Sequence, residues 1–381
     1  MPCGWGCFMG KWMFFRHIFA LFALVVTLAG CSSLSTIKSD EPEKYVLAPS
    51  ANEARHFFTR SGLHLFGQWW MPSGSPKAIV LLVHGTAVHS GFYDPWAKDL
   101  TSRGYAVFGI DLRGWGQSQG YGARRGSVGK IDEYVEDVEI ARREVRRRFP
   151  GKPVYLQGES LGGAVVLMAS ISGRVASDGL ILNAPAIQLN PGHILPASVG
   201  NFGLWTAAQS ARHMAQTPLL PVWKSLTWTI VKDPAVKQRY WEDPFTAHKA
   251  LPGSFLVAMQ DVTQRLQLNI NNVRVPFLVM HGTRDALVAK EGSELLMAKA
   301  VSTDKTIKIY EGMRHATLHD VDKDKVWSDV TSWLDTHADK AIAAKALNPD
   351  PTEISDSGED DDSQKTAFRS RYQQLTMTTR N

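Results

Sequence analysis

Three side chains on this chain have the types and the order needed for acyl transfer: a serine, a carboxylate and an imidazole. A serine hydroxyl is a weak nucleophile at neutral pH, so it needs a base within hydrogen-bond reach, and the base needs a carboxylate to orient it. Ser160 stands in Gly158-Glu159-Ser160-Leu161-Gly162, between the apolar run Val154-Tyr155-Leu156 and the apolar Gly163-Ala164-Val165-Val166-Leu167. A buried strand, a sharp turn and a buried helix are the setting of a nucleophile elbow, which pushes the serine out at the carboxyl edge of a sheet. The helix N-terminus behind it favours a developing negative charge. Glycine at 158 and 162 relieves the crowding of so tight a turn, and Gly163 lets the helix approach the sheet. Behind such an elbow the partners follow in the order acid, then histidine. Asp285 lies in the loop at the carboxyl end of the apolar run Pro276 to Met280, a position that Asp261 and Asp304 lack. His315, in Gly312-Met313-Arg314-His315, follows the strand-like Thr306 to Tyr310, whereas His319 comes four residues later and His337 falls in a terminal helical segment. Ser160, His315 and Asp285 are the expected nucleophile, base and orienting acid.

Two patterns compete with this reading and fail on context. Gly116-Gln117-Ser118-Gln119-Gly120 repeats the G-x-S-x-G spelling, but a glycine-rich loop precedes it and no apolar helix follows, so Ser118 is expected to be a turn residue. His315 and His319 have an i, i+4 metal-ligand spacing, but no glutamate follows the first histidine and no third ligand is evident, so no metal is expected. The tetrahedral oxyanion needs preorganised backbone donors. The residue after the nucleophile, Leu161, supplies one, and the loop after the early strand supplies the other at Thr86. His84 and His281 both close a strand with His-Gly and are expected to be structural.

The elements that must carry these residues alternate. Residues Arg55 to Met71 alternate apolar and polar around Ser61-Gly62, which predicts a hairpin. Ala78 to Val83, Tyr105 to Ile110, Val154 to Leu156, Gly179 to Ala184 and Pro276 to Met280 are short unbroken apolar runs, the pattern of strands covered on both faces. Helical segments near Tyr93 to Arg103, Ile131 to Phe149, Glu291 to Ala300 and Lys325 to Ile342 fall between or after them. The class is α/β, with a doubly wound, mostly parallel sheet. The core is expected over residues 53–187 and 273–344. Residues 188–272 are too long for a simple connection and carry Leu204, Trp205, Leu219, Leu220, Trp223, Leu226 and Trp228 among several prolines. They are read as an inserted helical cap whose apolar residues either line an acyl-binding groove or pack the cap onto the core. Residues 345–381 are acidic and polar with few apolar side chains, which predicts a disordered tail.

The first thirty residues differ from the rest. Lys11, Arg16 and His17 precede an apolar run from Ile18 to Ala29, shorter than a membrane-spanning helix and ending in small residues, so residues 1–30 read as a signal peptide. Leu28-Ala29-Gly30-Cys31 resembles a bacterial lipobox. That resemblance implies cleavage before Cys31 and a lipid on Cys31, the alternatives being an uncleaved anchor or an ordinary signal peptide; residues 31–52, polar with Pro42 and Pro49, read as a tether, and Ser32 and Ser33 resemble outer-membrane sorting in Gram-negative bacteria. The expected address is the cell envelope, with the protein held at a membrane surface by its lipid. Removing Lys11 and Arg16 with the leader lowers 42 basic residues to 40 against 37 acidic, a net charge of +3 and too mild to argue for a nucleic-acid partner. The basic run Arg142 to Arg148 follows Glu136, Asp137 and Glu139, which suits a solvated helix face, the alternative being contact with anionic lipid.

Five segments occur in order: His84-Gly85 with His89-Ser90-Gly91-Phe92-Tyr93; Asp111-Leu112-Arg113-Gly114-Trp115-Gly116-Gln117-Ser118; Gly158 to Ala164; His281-Gly282-Thr283-Arg284-Asp285; and Gly312 to His315. Together they resemble the monoacylglycerol lipase and lysophospholipase branch of the α/β-hydrolases, as do Lys232-Asp233-Pro234 and Glu242-Asp243-Pro244-Phe245 in the cap. The resemblance covers about Arg55 to Ile342. It implies an α/β-hydrolase fold with an inserted cap, a Ser-His-Asp esterase without cofactor, and a lipid-accepting pocket. By that match Ser160 is nucleophile, Asp285 acid, His315 base, and Thr86 and Leu161 oxyanion donors. Trp115 stands where the family often has histidine, the His84-Gly85 loop continues Thr86-Ala87-Val88 where small or acidic residues are common, and the cap diverges most. The expected substrate is a monoacylglycerol or lysophospholipid. The alternatives are a short-chain or aromatic ester, or a lipid-binding lipoprotein without turnover. Dehalogenase and epoxide hydrolase chemistry would need an acid at the elbow, where Ser160 stands.

Overall fold

The unbroken apolar runs become the centre of an eight-stranded sheet in a computed structural model of the chain. The structure describes residues 45–120, 126, 130–190, 218–220, 228–247 and 251–347. The expected signal peptide, Cys31, the cap residues Leu204, Trp205, Trp223 and Leu226, and the tail beyond 347 lie outside the described residues. Strands β3 (Ile79–Val83), β4 (Ala106–Ile110), β5 (Val154–Glu159), β6 (Gly179–Asn183) and β9 (Phe277–Gly282) have every residue buried. Strands covered on both faces need such uniform sequences. β1 (Glu53–Phe58) and β2 (His64–Trp70) form the expected antiparallel hairpin, and β10 (Lys305–Tyr310) closes the far edge. The strand order is β1-β2-β4-β3-β5-β6-β9-β10; β2 runs antiparallel to β1 and β4, and the remaining pairs are parallel. This is the doubly wound sheet that the alternation predicts.

Side chains leave β5 alternately for two helical layers. Tyr155 meets Trp333 of α7 (Lys323–Leu347) at 5.7 Å between ring centres, and Gln157 accepts a 3.0 Å hydrogen bond from Trp96 of α1 (Asp94–Ser102). Gly158, one residue on, faces the start of α3 (Leu161–Ile171) on the other side. α3 is apolar all round and buried from Leu161 to Ala169, as a helix wedged between sheet and neighbours must be. α2 (Ile131–Arg148) packs beside it through Tyr134, Val135, Val138, Ala141 and Val145. Its outward arginines are paired, Arg143 with Glu139 at 3.2 Å, Arg147 with Glu144 at 2.8 Å and Arg148 with Glu53 at 2.6 Å. The basic run is therefore a solvated, charge-matched helix face.

The loop after β4 carries the Asp111 to Ser118 motif and is held from inside. Arg113 is 1% exposed and bonds Asp137 of α2 at 2.5 Å and Glu136 at 2.8 Å. Ser118 donates to the Asp111 carbonyl at 2.5 Å and accepts from Phe66 N–H at 2.8 Å, which makes it the turn residue that its context predicts. Trp115 is buried and donates to the Tyr134 hydroxyl at 2.8 Å.

Within residues 188–272, β7 (Pro218–Leu220) and β8 (Leu251–Pro252) form a small antiparallel ribbon, and α4 (Pro234–Glu242) is N-capped by Asp233, whose side chain accepts from Ala235 N–H at 2.8 Å. α5 (Gly253–Asn269) packs on α2 and α3 through Phe255, Ala258, Met259, Val262 and Leu266, so the end of the insertion is a wall of the sheet layer. Trp228, one of the apolar residues of the insertion, is 63% exposed with the Lys237 ammonium 3.8 Å from its ring centre. α6 (Lys290–Lys299) lies between β9 and β10. Residues 45–52, the end of the expected tether, are held to the domain by bonds from Val46 to Gln117, Ala48 to Gln68 and Ser50 to Asp94.

Candidate active site

Ser160 has φ 53° and ψ −114°, a conformation that sterics reserve almost wholly for glycine. Such a residue stores about 1–3 kcal/mol of strain and persists only where its surroundings fix it. Here three backbone bonds do so: Ser160 N–H to the Asn183 carbonyl at 2.9 Å, and the Ser160 carbonyl accepting from Ala164 and Ala186 N–H at 3.0 Å each. The glycines are needed for close approach. A Cβ at Gly158 would overlap the Gly162 carbonyl, a Cβ at Gly162 would overlap the carbonyls of Val83 and His84, and a Cβ at Gly163 would press on Pro185.

The acid and the imidazole arrive on two loops stitched to one another. Gly282 at the end of β9 leaves no room for a side chain against the Met313 carbonyl, and Arg284 N–H donates to that carbonyl at 2.9 Å. Gly312 N–H donates to the Thr283 hydroxyl at 2.8 Å. So joined, the loops bring His315 Nδ1 to 2.6 Å from Asp285 Oδ2, the pairing that the sequence predicts. The other oxygen, Oδ1, accepts from Leu287 and Val288 N–H at 2.8 and 2.9 Å. Burial alone would push the Asp285 pKa up, but His315 and His281 hold it well below the usual carboxylate range. Burial likewise disfavours the His315 imidazolium, yet Asp285 beside it, with Glu159 adding, holds its pKa above the ordinary 6.5. An imidazole with Nδ1–H pinned to a carboxylate offers Nε2 as a general base. Asn183, the register partner of Glu159 on β6, donates to the Thr317 hydroxyl at 2.9 Å and so anchors the His315 loop beside the elbow strand.

On the other flank runs the loop after β3. A Cβ on Gly85 would lie 3.6 Å from the Ser160 Cβ, so this loop borders the serine. His84 fixes its peptide planes: Nε2 accepts from Leu112 N–H at 3.0 Å, which leaves Nδ1–H to donate to the Gly85 carbonyl at 2.7 Å. That carbonyl and the Thr86 N–H belong to one planar peptide and point in opposite directions. Burial lowers the His84 pKa to about 4, against the attraction of Asp111, so the ring stays neutral and keeps both bonds. Thr86 N–H and Leu161 N–H find no acceptor among the described residues. His281 is structural in a different way: its Nδ1 meets the Ser293 hydroxyl at 2.8 Å and its Nε2–H is shared between the Val288 carbonyl and Asp285 Oδ2, both at 3.1 Å. Sequence reasoning did not find this second imidazole on Asp285, nor Asn183 and Tyr93, which also support the site; Tyr93 was visible only as the end of the His89 to Tyr93 motif. His319 does not join His315 in a ligand pair, because it faces Glu159 Oε2 at 3.8 Å while His315 faces Asp285.

A mostly parallel eight-stranded sheet, a strained serine between strand and helix, and a histidine–carboxylate pair on the following loops define an α/β-hydrolase, and the chain is a carboxylic ester hydrolase. The family model described as serine aminopeptidase, S33 (Hydrolase_4) matches residues 74–322, more than half of the chain, and the chain belongs to that family. It is 28% identical to a monoglyceride lipase of Rattus norvegicus over 299 residues, covering 77% of this chain and 93% of the rat protein. It is also 28% identical to a monoacylglycerol lipase of Mycolicibacterium smegmatis, covering 76% of this chain and 99% of that one. The crystal structure of Paleococcus ferrophilus monoacylglycerol lipase superposes with a TM-score of 0.62 at 25% identity, over 72% of this chain and 99% of that one.

Proposed function

We propose that this hydrolase cleaves the ester of a monoacyl lipid, a monoacylglycerol or lysophospholipid, through an acyl-enzyme on Ser160. The observation that carries the reading is the 2.6 Å His315–Asp285 bond on loops anchored beside the strained elbow of Ser160. His315 Nε2 takes the Ser160 proton as the oxygen attacks the ester carbonyl, and the imidazolium formed is stabilised by Asp285. The N–H groups of Thr86 and Leu161 receive the oxyanion. His315 returns its proton to the leaving alcohol, and water then enters by the reverse sequence to free the fatty acid and Ser160. The similarity to monoacylglycerol lipases supports the lipid substrate.

The test is labelling by a fluorophosphonate probe together with hydrolysis of an acyl-chain-length series. Labelling lost in Ser160→Ala, with rates rising toward long acyl chains on glycerol, is expected. Labelling that survives Ser160→Ala refutes the nucleophile, and a preference for acetyl or aromatic esters refutes the lipid substrate. We further propose that Cys31 carries a lipid that holds the enzyme at a bacterial envelope membrane. Metabolic incorporation of an alkyne fatty acid should be lost in Cys31→Ala, and incorporation that persists there refutes the anchor.

A further inference from the structure

The loop after β3 holds a strained residue of its own, next to Thr86. Ala87 has φ 67°, a left-handed conformation that is unfavourable for any residue with a Cβ and persists only where its surroundings fix it. Its carbonyl accepts from Ala247 N–H at 2.9 Å, so the bond that holds it comes from the turn after α4. Two residues on, His89 is 5% exposed. Its Nδ1 accepts from Gly91 N–H at 3.2 Å, which caps the 3₁₀ turn Ser90–Tyr93. The ring hydrogen is therefore on Nε2, and it is donated to Asp243 Oδ2 at 2.8 Å. Asp243 Oδ1 accepts from Phe245 N–H at 2.8 Å, and the Phe245 ring meets the His89 ring edge-on at 5.6 Å. The turn after α4 is itself rigid. The Thr246 hydroxyl bonds the Tyr240 carbonyl at 2.7 Å, and the Tyr240 hydroxyl donates to the Ala247 carbonyl at 2.9 Å. The opposite side of the loop after β3 is also held. Ser90 N–H and hydroxyl donate to Asp111 Oδ1 at 2.8 and 2.6 Å, and the Tyr93 hydroxyl accepts from Gly85 N–H at 3.0 Å.

We propose that His89 and Asp243 are positioning residues of this centre: their bond, together with that of Ala247 to Ala87, holds residues 86–89 in the geometry that aims Thr86 N–H at the developing oxyanion. The inference rests on the acyl-enzyme reading, in which Thr86 is a donor, and adds to it. Neither side chain touches the reacting atoms; both act through the backbone of the loop. The residue types follow from the bonds. Position 89 needs an acceptor toward Gly91 and a donor toward α4, which an imidazole with its hydrogen on Nε2 supplies on opposite sides of one ring. Position 243 needs two acceptors for two donors, which a carboxylate has and an amide lacks. The pair is not what docks the segment, because Arg239 donates to the Phe92 carbonyl at 2.9 Å and Lys232 N–H donates to Asp320 Oδ1 at 2.7 Å whether or not His89 and Asp243 meet.

The experiment compares wild type, His89→Asn, Asp243→Asn and the double variant. It measures the second-order rate of fluorophosphonate inactivation, and kcat and KM on a soluble aryl ester. Asparagine at 89 still caps Gly91 N–H but does not reach Asp243, and asparagine at 243 keeps the Phe245 bond while turning its NH2 toward the Nε2–H of His89. Either single change lowers the inactivation rate and kcat roughly tenfold with KM within about twofold, because a displaced oxyanion donor weakens the transition state and not ground-state binding. The double variant is within about twofold of the slower single variant, since both changes delete one bond. The acid limb of His89→Asn keeps its wild-type midpoint, because His315 and Asp285 are untouched. Titrating labelable sites and measuring Tm separates rate from folded fraction. Wild-type rates per labelable site in the single variants overturn the inference, as do losses that multiply in the double variant, a change confined to KM, or a displaced acid limb. A wild type labelled at Ser160 whose variants react as fast as it does leaves the acyl-enzyme reading standing and removes this inference alone. A wild type that does not label overturns both.

Discussion

Replacing Asp285 by asparagine is the sharpest test of the histidine–carboxylate pair, because the structure dictates which way the new amide faces. Oδ1 of Asp285 accepts from two backbone N–H groups, those of Leu287 and Val288. An asparagine must put its carbonyl oxygen there, since an NH2 would set donors against donors. The NH2 then occupies the Oδ2 position, opposite His315 Nδ1 and His281 Nε2. His315 can only accept from it through Nδ1, which moves its proton to Nε2 and removes the lone pair that serves as base. The wrong tautomer in an intact frame lowers kcat by roughly 10³–10⁴-fold in hydrolases of this type, which is about 4–5.5 kcal/mol of transition-state stabilisation. The fold should tolerate the change. His281 can also switch tautomer, because the Ser293 hydroxyl either donates or accepts. That switch takes the Nε2–H from the buried Val288 carbonyl, so the loss of stability is about 1–3 kcal/mol, the cost of one unsatisfied acceptor. Asp285→Ala differs, leaving two buried N–H groups unpaired at about 1–3 kcal/mol each. The assay is kcat/KM on a soluble ester at pH 8 beside urea unfolding. An asparagine variant that folds normally and keeps more than about a tenth of the activity would refute the tautomer argument.

The acid limb of kcat/KM should have its midpoint above 6.5, because His315 is held above that value; activity is present where the imidazole is neutral and is lost as pH falls through its folded pKa. A midpoint near 5 on a substrate without ionisable groups would contradict the raised value. Gly162→Ala should destabilise by on the order of 3 kcal/mol or more, since its Cβ meets two main-chain carbonyls that cannot rotate away, whereas Gly173→Ala, at φ 69° in open space, should cost about 1–2 kcal/mol. Equal urea midpoints for the two variants would show that elbow crowding is not what selects glycine at 162.

The sheet was legible because burial on both faces leaves a mark inside each segment: Ile79 to Val83 or Leu180 to Leu182 contain nothing polar. The histidine–carboxylate pair was legible for another reason. A strand-turn-helix around Ser160 fixes the chain order of its partners, and only Asp285 and His315 stand at strand ends in that order. What supports them was not legible. His84 and His281 share one spelling, yet one orients a peptide in the loop beside Ser160 and the other bonds the acid. Their partners, Leu112 and Ser293, are chosen by topology, which local periodicity does not encode. Glu159 reads as a polar turn residue, yet in the fold its carboxylate is buried between the Gly85 loop and His319. The role of α5 was hidden likewise, because its apolar face looks the same whether it covers a cap or the sheet layer.

Residues 228–247, which hold Lys232-Asp233-Pro234 and Glu242 to Phe245, bond the active-site loops on two sides. On one side Ala247 N–H donates to the Ala87 carbonyl at 2.9 Å, Asp243 pairs with His89 at 2.8 Å, and Arg239 donates to the Phe92 carbonyl at 2.9 Å. On the other, Ala316 N–H donates to the Ile230 carbonyl at 3.1 Å, Arg314 donates to the carbonyls of Trp228 and Val231, and the N–H groups of Lys232 and Asp233 share Asp320 Oδ1. Asp233-Pro234 and Asp243-Pro244 supply the helix cap and the carboxylate for this bracing. At about 1 kcal/mol net for each hydrogen bond, lifting the segment away would sacrifice more than the few kcal/mol that separate ordinary open and closed states. It would also release the Thr86 loop and the His315 loop together. Residues 228–247 therefore brace the Thr86 loop and the His315 loop as one unit.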